Sequence, residues 1–103
     1  MLAFLQKIFG GNPVNYKELV SNGAVIVDVR SIGEFKSGHI PGSKNYPVEN
    51  IRNKVNELKK LNKPVITVCR SGARSGMAKG ILISAGIEVY NGGPWTSLIS
   101  KIS

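Results

Sequence analysis

The sequence predicts one α/β domain: a small, open, mostly parallel sheet flanked by helices on both faces. Two observations carry this reading. The runs Val25-Ile26-Val27 and Val65 to Val68 are short, apolar and largely β-branched without alternation, as strands covered on both sides are. Around them, apolar residues recur at spacings of three and four, and strands that alternate with helices build parallel sheets. A length of 103 residues suits a single core. The content of 42% hydrophobic against 19% charged residues is that of a chain that folds.

In chain order, residues 1–12 form an N-terminal segment, closed by Gly10 and Gly11, in which Leu2, Leu5, Ile8 and Phe9 fit one face of a short amphipathic helix. Residues 13–103 form the domain. Tyr16 to Ser21 make a short helix stopped by Asn22 and Gly23. Ala24 to Val29 is the first strand, with Asp28 and Arg30 at its C-terminal end. A polar stretch, Ser31 to Gly38, leads into turn chemistry at His39-Ile40-Pro41-Gly42 and an extended piece at Asn45 to Pro47. Val48, Ile51, Val55 and Leu58 predict an amphipathic helix over 48–61 with lysines on its solvent face. Pro64 opens the strand Val65 to Val68. A helix from Ser75 carries Met77, Ala78, Ile81, Leu82 and Ala85 until Gly86 stops it. Ile87 to Tyr90 form a strand, and Trp95, Leu98, Ile99 and Ile102 a last helix.

Composition excludes several classes. No apolar run reaches the roughly 18 to 20 residues of a membrane-spanning helix. The N-terminal segment lacks the basic start and small-residue cleavage site of an export signal, so a reducing, cytoplasmic setting is expected. One cysteine excludes an internal disulfide, and Cys and His are too few for a structural zinc site. The net charge of +8 is spread from Lys7 to Lys101 with no Arg-rich arm, which argues against a nucleic-acid partner and for solubility and attraction of small anions.

The chemistry points to Cys69. In open α/β sheets the reactive crevice lies beyond the carboxyl ends of the strands, which is where Cys69 falls. The small residues Ser71, Gly72 and Ala73 let backbone N–H groups converge, and the helix that follows starts with free donors. Arg70 and Arg74 add positive charge, so the thiolate of Cys69 is favoured. A pKa drop from about 8.5 to about 6.5 raises the thiolate fraction roughly 25-fold but forfeits nearly tenfold in nucleophilicity. Most of the benefit must therefore come from holding an anionic substrate and the charged intermediate on sulfur. Asp28 and Arg30 are read as a supporting shell. His39, in a Gly-Pro turn, is expected to bond to backbone only.

Val27-Asp28-Val29-Arg30, Glu34-Phe35, Gly38-His39-Ile40-Pro41-Gly42, Asn45 and Cys69-Arg70-Ser71-Gly72-Ala73-Arg74-Ser75 together resemble a rhodanese domain from about Asn15 onward. The resemblance implies sulfurtransfer. Cys69 would take sulfane sulfur from thiosulfate or a persulfide donor, and pass it to cyanide or a thiol, with no cofactor and no metal. The amides of Arg70, Ser71, Gly72, Ala73, Arg74 and Ser75 would cradle the outer sulfur. A protein sulfur donor or acceptor fits the same scheme, since no second thiol is present to resolve the persulfide. One departure stands out: Gly92-Gly93-Pro94-Trp95 leaves only Pro94 between the glycine pair and the tryptophan, which leaves the start of the last helix open.

Two other readings remain. A non-catalytic rhodanese-like binding or regulatory module would keep the fold and leave the loop idle. A cysteine-based phosphatase or arsenate reductase is the weaker one. Phosphatase loops place five residues between Cys and Arg, whereas four separate Cys69 from Arg74, and Asp28 is the only Asp available as a general acid.

Overall fold

The computed structural model describes residues 13–103; the expected amphipathic segment at residues 1–12 lies outside them. The elements run α1 (Tyr16–Ser21), β1 (Val25–Asp28), α2 (Ile32–Lys36), β2 (Lys44–Asn45), a 3-10 helix (Val48–Lys54) continuing into α3 (Val55–Leu61), β3 (Val65–Cys69), α4 (Ala73–Ser84), β4 (Val89–Pro94) and α5 (Trp95–Ile102). Four strands form one sheet in the order β2-β1-β3-β4, and every pairing is parallel. The sheet and its helical layers bear out the expected α/β class.

Both faces of the sheet are covered. On one, Val27, Val65, Cys69 and Val89 pack with Ile51, Leu58, Ala78 and Leu82 from the 3-10 helix, α3 and α4. On the other, Ile26, Ile66 and Val68 meet Leu98, Trp95 and Ile102 of α5 and Leu19 of α1. This two-sided burial explains the apolar runs of β1 and β3, in which the polar exceptions, Asp28 and Thr67, are buried and hydrogen-bonded.

The structure corrects four boundaries. The polar stretch after Arg30 contains a helix, α2, started by a capping box in which Ser31 Oγ accepts from Glu34 N while Glu34 accepts from the Ser31 N–H. The Ser-x-x-Glu spacing was present in the sequence and is its signal. The first half of 48–61 is a 3-10 helix, because Val48 and Ile51, three residues apart, align on a turn of three. Helix α4 begins at Ala73, two residues earlier than expected, with Gly72 as its N-cap at φ 104°. A side chain there would be strained. Finally, β4 extends through Gly92-Gly93-Pro94, and α5 starts directly at Trp95. Thr67 pairs with Asn91 and Val68 with Gly93, which leaves Gly92 as a bulge. A Cβ on Gly92 would sit 2.9 Å from Ile66 Cγ2 and 3.1 Å from Thr67 O, so the bulge lies tight against β3.

Candidate active site at the end of the third strand

Cys69 closes β3 and is fully buried (0% exposed), its β-carbon side within the core. Its sulfur faces the loop that follows. Gly72 N donates to Sγ at 2.9 Å and Ser75 N at 3.4 Å, and Ser75 Oγ lies 3.4 Å away. Of the amides of residues 70–75, those of Gly72 and Ser75 thus turn inward to the sulfur. Burial pushes the thiol up, but hydrogen bonds with the Ser75 hydroxyl and with the N–H groups of Ser75, Gly72 and Ser71 outweigh it and hold Cys69 below its usual range. Arg70, Ser71 and Ala73 are exposed, so the loop that covers the sulfur has its outer side in solvent.

The two loop arginines are placed differently. Arg74 gives its guanidinium to Glu34, with Nη1 to Oε1 at 2.7 Å and Nη2 to Oε2 at 3.0 Å. This bidentate pair ties α4 to α2, and its positive charge is answered before any substrate arrives. Arg70 is exposed, and among the described residues its side chain makes no hydrogen bond or ion pair. Arg74, one of the two loop charges expected from sequence, is a brace in this structure, and among the described residues Arg70 is the one of the two left without a partner.

The Arg74 guanidinium beside Glu34, helped by the Ser31 N–H, holds the carboxyl down to about 2. A depressed carboxylate contributes fully above its ordinary pKa, here 4.5, and loses its contribution as pH falls through about 2. The brace is therefore expected to persist through the pH range in which ordinary glutamates protonate. An NMR titration should find the Glu34 carboxyl midpoint near 2. A midpoint at the ordinary value would show that the pair is not held in solution.

Asp28 and Arg30 form a buried pair under the same crevice. Asp28 is 0% exposed, takes Arg30 Nη2 at 2.7 Å and Nε at 2.9 Å, and also accepts the Arg30 N–H. The guanidinium continues outward: Nη1 donates to Glu34 O, Nη2 donates to Gly38 O at 2.7 Å, and the group lies 4.8 Å from the Trp95 ring centre. Neither residue touches the sulfur; they fix the ends of α2 and the Gly38 turn. Asn45 supports them by donating to the carbonyls of Asp28 and Arg30. His39 Nδ1 donates to Phe35 O at 2.8 Å, and the ring stacks on that of Phe35. Sequence reasoning assigned no role to Glu34, Asn45 or Asn91, because each acts through a partner distant in the chain.

Among the described residues, no group of three or more His, Cys, Asp or Glu side chains could hold a metal ion, and no helix is long and apolar enough to cross a membrane. A doubly covered parallel sheet with one thiol at a strand end, and peptide N–H groups of the following loop and helix turned onto its sulfur, defines the class as an α/β domain. The rhodanese-like domain family matches residues 12–94, and the chain belongs to that family. The uncharacterized protein YqhL of Bacillus subtilis (strain 168) is 39% identical over 69 residues, 66% of this chain and 54% of YqhL. The putative sulfur carrier protein YrkF of the same organism is 33% identical over 84% of this chain and 40% of YrkF, so the chain spans about half or less of either relative. The thiosulfate sulfurtransferase GlpE of Ectopseudomonas mendocina (strain ymp) is 36% identical over 78% of this chain and 73% of GlpE. Among solved structures, a rhodanese-related protein from Thermoplasma volcanium has TM-score 0.71 at 28% identity, over 87% of this chain and 92% of its own. A rhodanese with anions from E. coli has TM-score 0.67 at 27% identity, over 73% and 91%.

Proposed function

We propose that this chain is a sulfurtransferase that carries sulfane sulfur as a persulfide on Cys69. The observation that supports this best is the set of inward donors on one buried sulfur, Gly72 N at 2.9 Å foremost. Peptide N–H groups aimed at a fixed point stabilise an anion there without reorganising. In the first half-reaction the Cys69 thiolate attacks the outer sulfur of thiosulfate. The new S–S bond forms as the old one breaks, and its electron pair leaves with sulfite. The negative charge now rests on the outer sulfur of Cys69, which the amides of Arg70 to Ser75 receive. In the second half-reaction the carbon of cyanide, or a thiolate sulfur, attacks that outer atom. The pair returns to Cys69 as thiolate, so each step balances with no metal or organic cofactor.

Exposed Arg70 attracts the anionic donor, while Arg74 keeps α4 and α2 in register around it. Asp28 and Arg30 hold the crevice from below. A protein donor or acceptor is in keeping with the name of YrkF, a putative sulfur carrier protein, and a small anionic donor with that of GlpE, a thiosulfate sulfurtransferase. A cytoplasmic, reducing compartment would keep the thiol free. The second reading, a non-catalytic module, draws on the complete burial of Cys69.

Intact-mass spectrometry of the full chain after incubation with thiosulfate separates the two. The expected result is a gain of one sulfur atom, lost again on addition of cyanide with release of thiocyanate. An unchanged mass with thiosulfate and with a persulfide donor would overturn sulfurtransfer in favour of the binding module. Hydrolysis of a simple aryl phosphate in its place would favour the phosphatase reading.

A further inference from the structure

Asn91 lies in β4, beside the Gly92 bulge, and its side chain makes three hydrogen bonds around the Cys69 loop. Its Oδ1 accepts from Ser75 Oγ at 2.7 Å and from Gly93 N at 2.9 Å, and its Nδ2 donates to Gly72 O at 3.2 Å. The amide orientation is set from both ends, because a peptide N–H can only donate and a peptide C=O only accept. Helix α4 leaves room for it: a Cβ at Gly76 would come within 3.3 Å of Nδ2.

Ser75 has one hydroxyl proton, and Asn91 Oδ1 can only accept, so this geometry spends that proton on Asn91. The Ser75 oxygen then turns a lone pair toward Cys69 Sγ, 3.4 Å away, which suits a neutral S–H. An ionised sulfur has no proton to give and needs that of Ser75. Asn91 is able to release it, since Gly93 N still occupies Oδ1. We infer that Asn91 is a positioning residue for Cys69: it holds the Ser75 hydroxyl proton away from the sulfur while the sulfur is neutral and yields it when the sulfur becomes anionic. The inference deepens the sulfurtransfer reading and rests on it for its role in turnover.

The charged and titratable groups around Cys69 are Asp28 with Arg30 below it, Arg74 of α4 with Glu34 of α2, and exposed Arg70 of the loop. Tyr16 of α1 reaches the Asn91 carbonyl only. None bonds to the Asn91 side chain, so changing it leaves both ion pairs in place.

Cys69 is the only cysteine, and the pH dependence of its alkylation by iodoacetamide therefore reports on it alone. In Asn91→Ala the Ser75 proton is free to turn to the sulfur, and the alkylation midpoint is expected to fall by about one pH unit, a tenfold gain of thiolate below the midpoint. In Ser75→Ala no hydroxyl is left for Asn91 to hold, so adding Asn91→Ala there should move the midpoint no further. The outcomes that overturn the inference are an unmoved midpoint in Asn91→Ala, a raised one, or the same shift with and without the Ser75 hydroxyl. Should Asn91→Ala fail to fold, Asn91→Thr suits the strand and ends one bond short of Ser75; the same fall is expected. Sulfur uptake by the wild type is measured alongside. Uptake with unmoved midpoints sinks the role of Asn91 alone, and lowered midpoints without uptake sink sulfurtransfer alone.

Discussion

Cys69→Ser is expected to reduce thiosulfate-dependent thiocyanate formation to the uncatalysed background. Serine is close to cysteine in size, and its hydroxyl accepts hydrogen bonds from Gly72 N and Ser75 N as the sulfur does, so the loop keeps its partners. What is lost is chemical. A serine hydroxyl ionises far above neutral pH, and the amides that lower the thiol do not bring an alcohol within reach. Sulfur attacks sulfur readily, whereas an oxygen nucleophile forms no stable carrier of a sulfane atom. The assay compares initial rates of the two proteins at equal concentration, with circular dichroism to verify that both are folded. Equal rates would mean that any thiocyanate arises away from Cys69, and the proposed mechanism would be abandoned.

Asp28→Ala is expected to be the most destabilising single change in the crevice, at about 3–5 kcal/mol, because it strands a buried guanidinium without its counter-charge. That is a large share of the roughly 5–15 kcal/mol that holds a domain together. Arg30 would lose its bonds at 2.7, 2.9 and 3.0 Å to the carboxylate while still enclosed by Gly38 O and the Trp95 ring. Its escape route, outward past Gly38, is the path along which it now pins α2, so sulfur transfer should fall with stability. Removing both charges, as in Asp28→Leu with Arg30→Met, is expected to cost less than Asp28→Ala alone, since no unpaired charge stays inside. Urea unfolding midpoints measure all three chains. A loss below about 1 kcal/mol for Asp28→Ala would show that the pair is not what organises this end of the sheet.

The residues that were legible in sequence are those whose roles are local. Cys69 stood at the end of a β-branched run with small residues after it, and helix donors converge there whatever the rest of the chain does. Asp28 and Arg30 are two residues apart, and their pairing lies within that reach. Arg74, read in the sequence as part of the loop, lies in the first turn of α4, and its charge could not be assigned. Its partner Glu34 is 40 residues upstream, and only the approach of α2 to α4 brings them together. Asn91 went unread for the same reason: its partner Ser75 is 16 residues away, and the link depends on a bulge that the Gly-Gly pair hints at without locating.

From its sequence alone this protein declared an α/β fold, a single thiol at the end of a strand and the small-residue turn beside it, because hydrophobic period and turn chemistry operate over a few residues. The tertiary structure decided which arginine is free, which is spent on a brace, and what steadies the Ser75 hydroxyl. Those outcomes depend on distances between segments far apart in the chain, and such distances exist only once the sheet has packed.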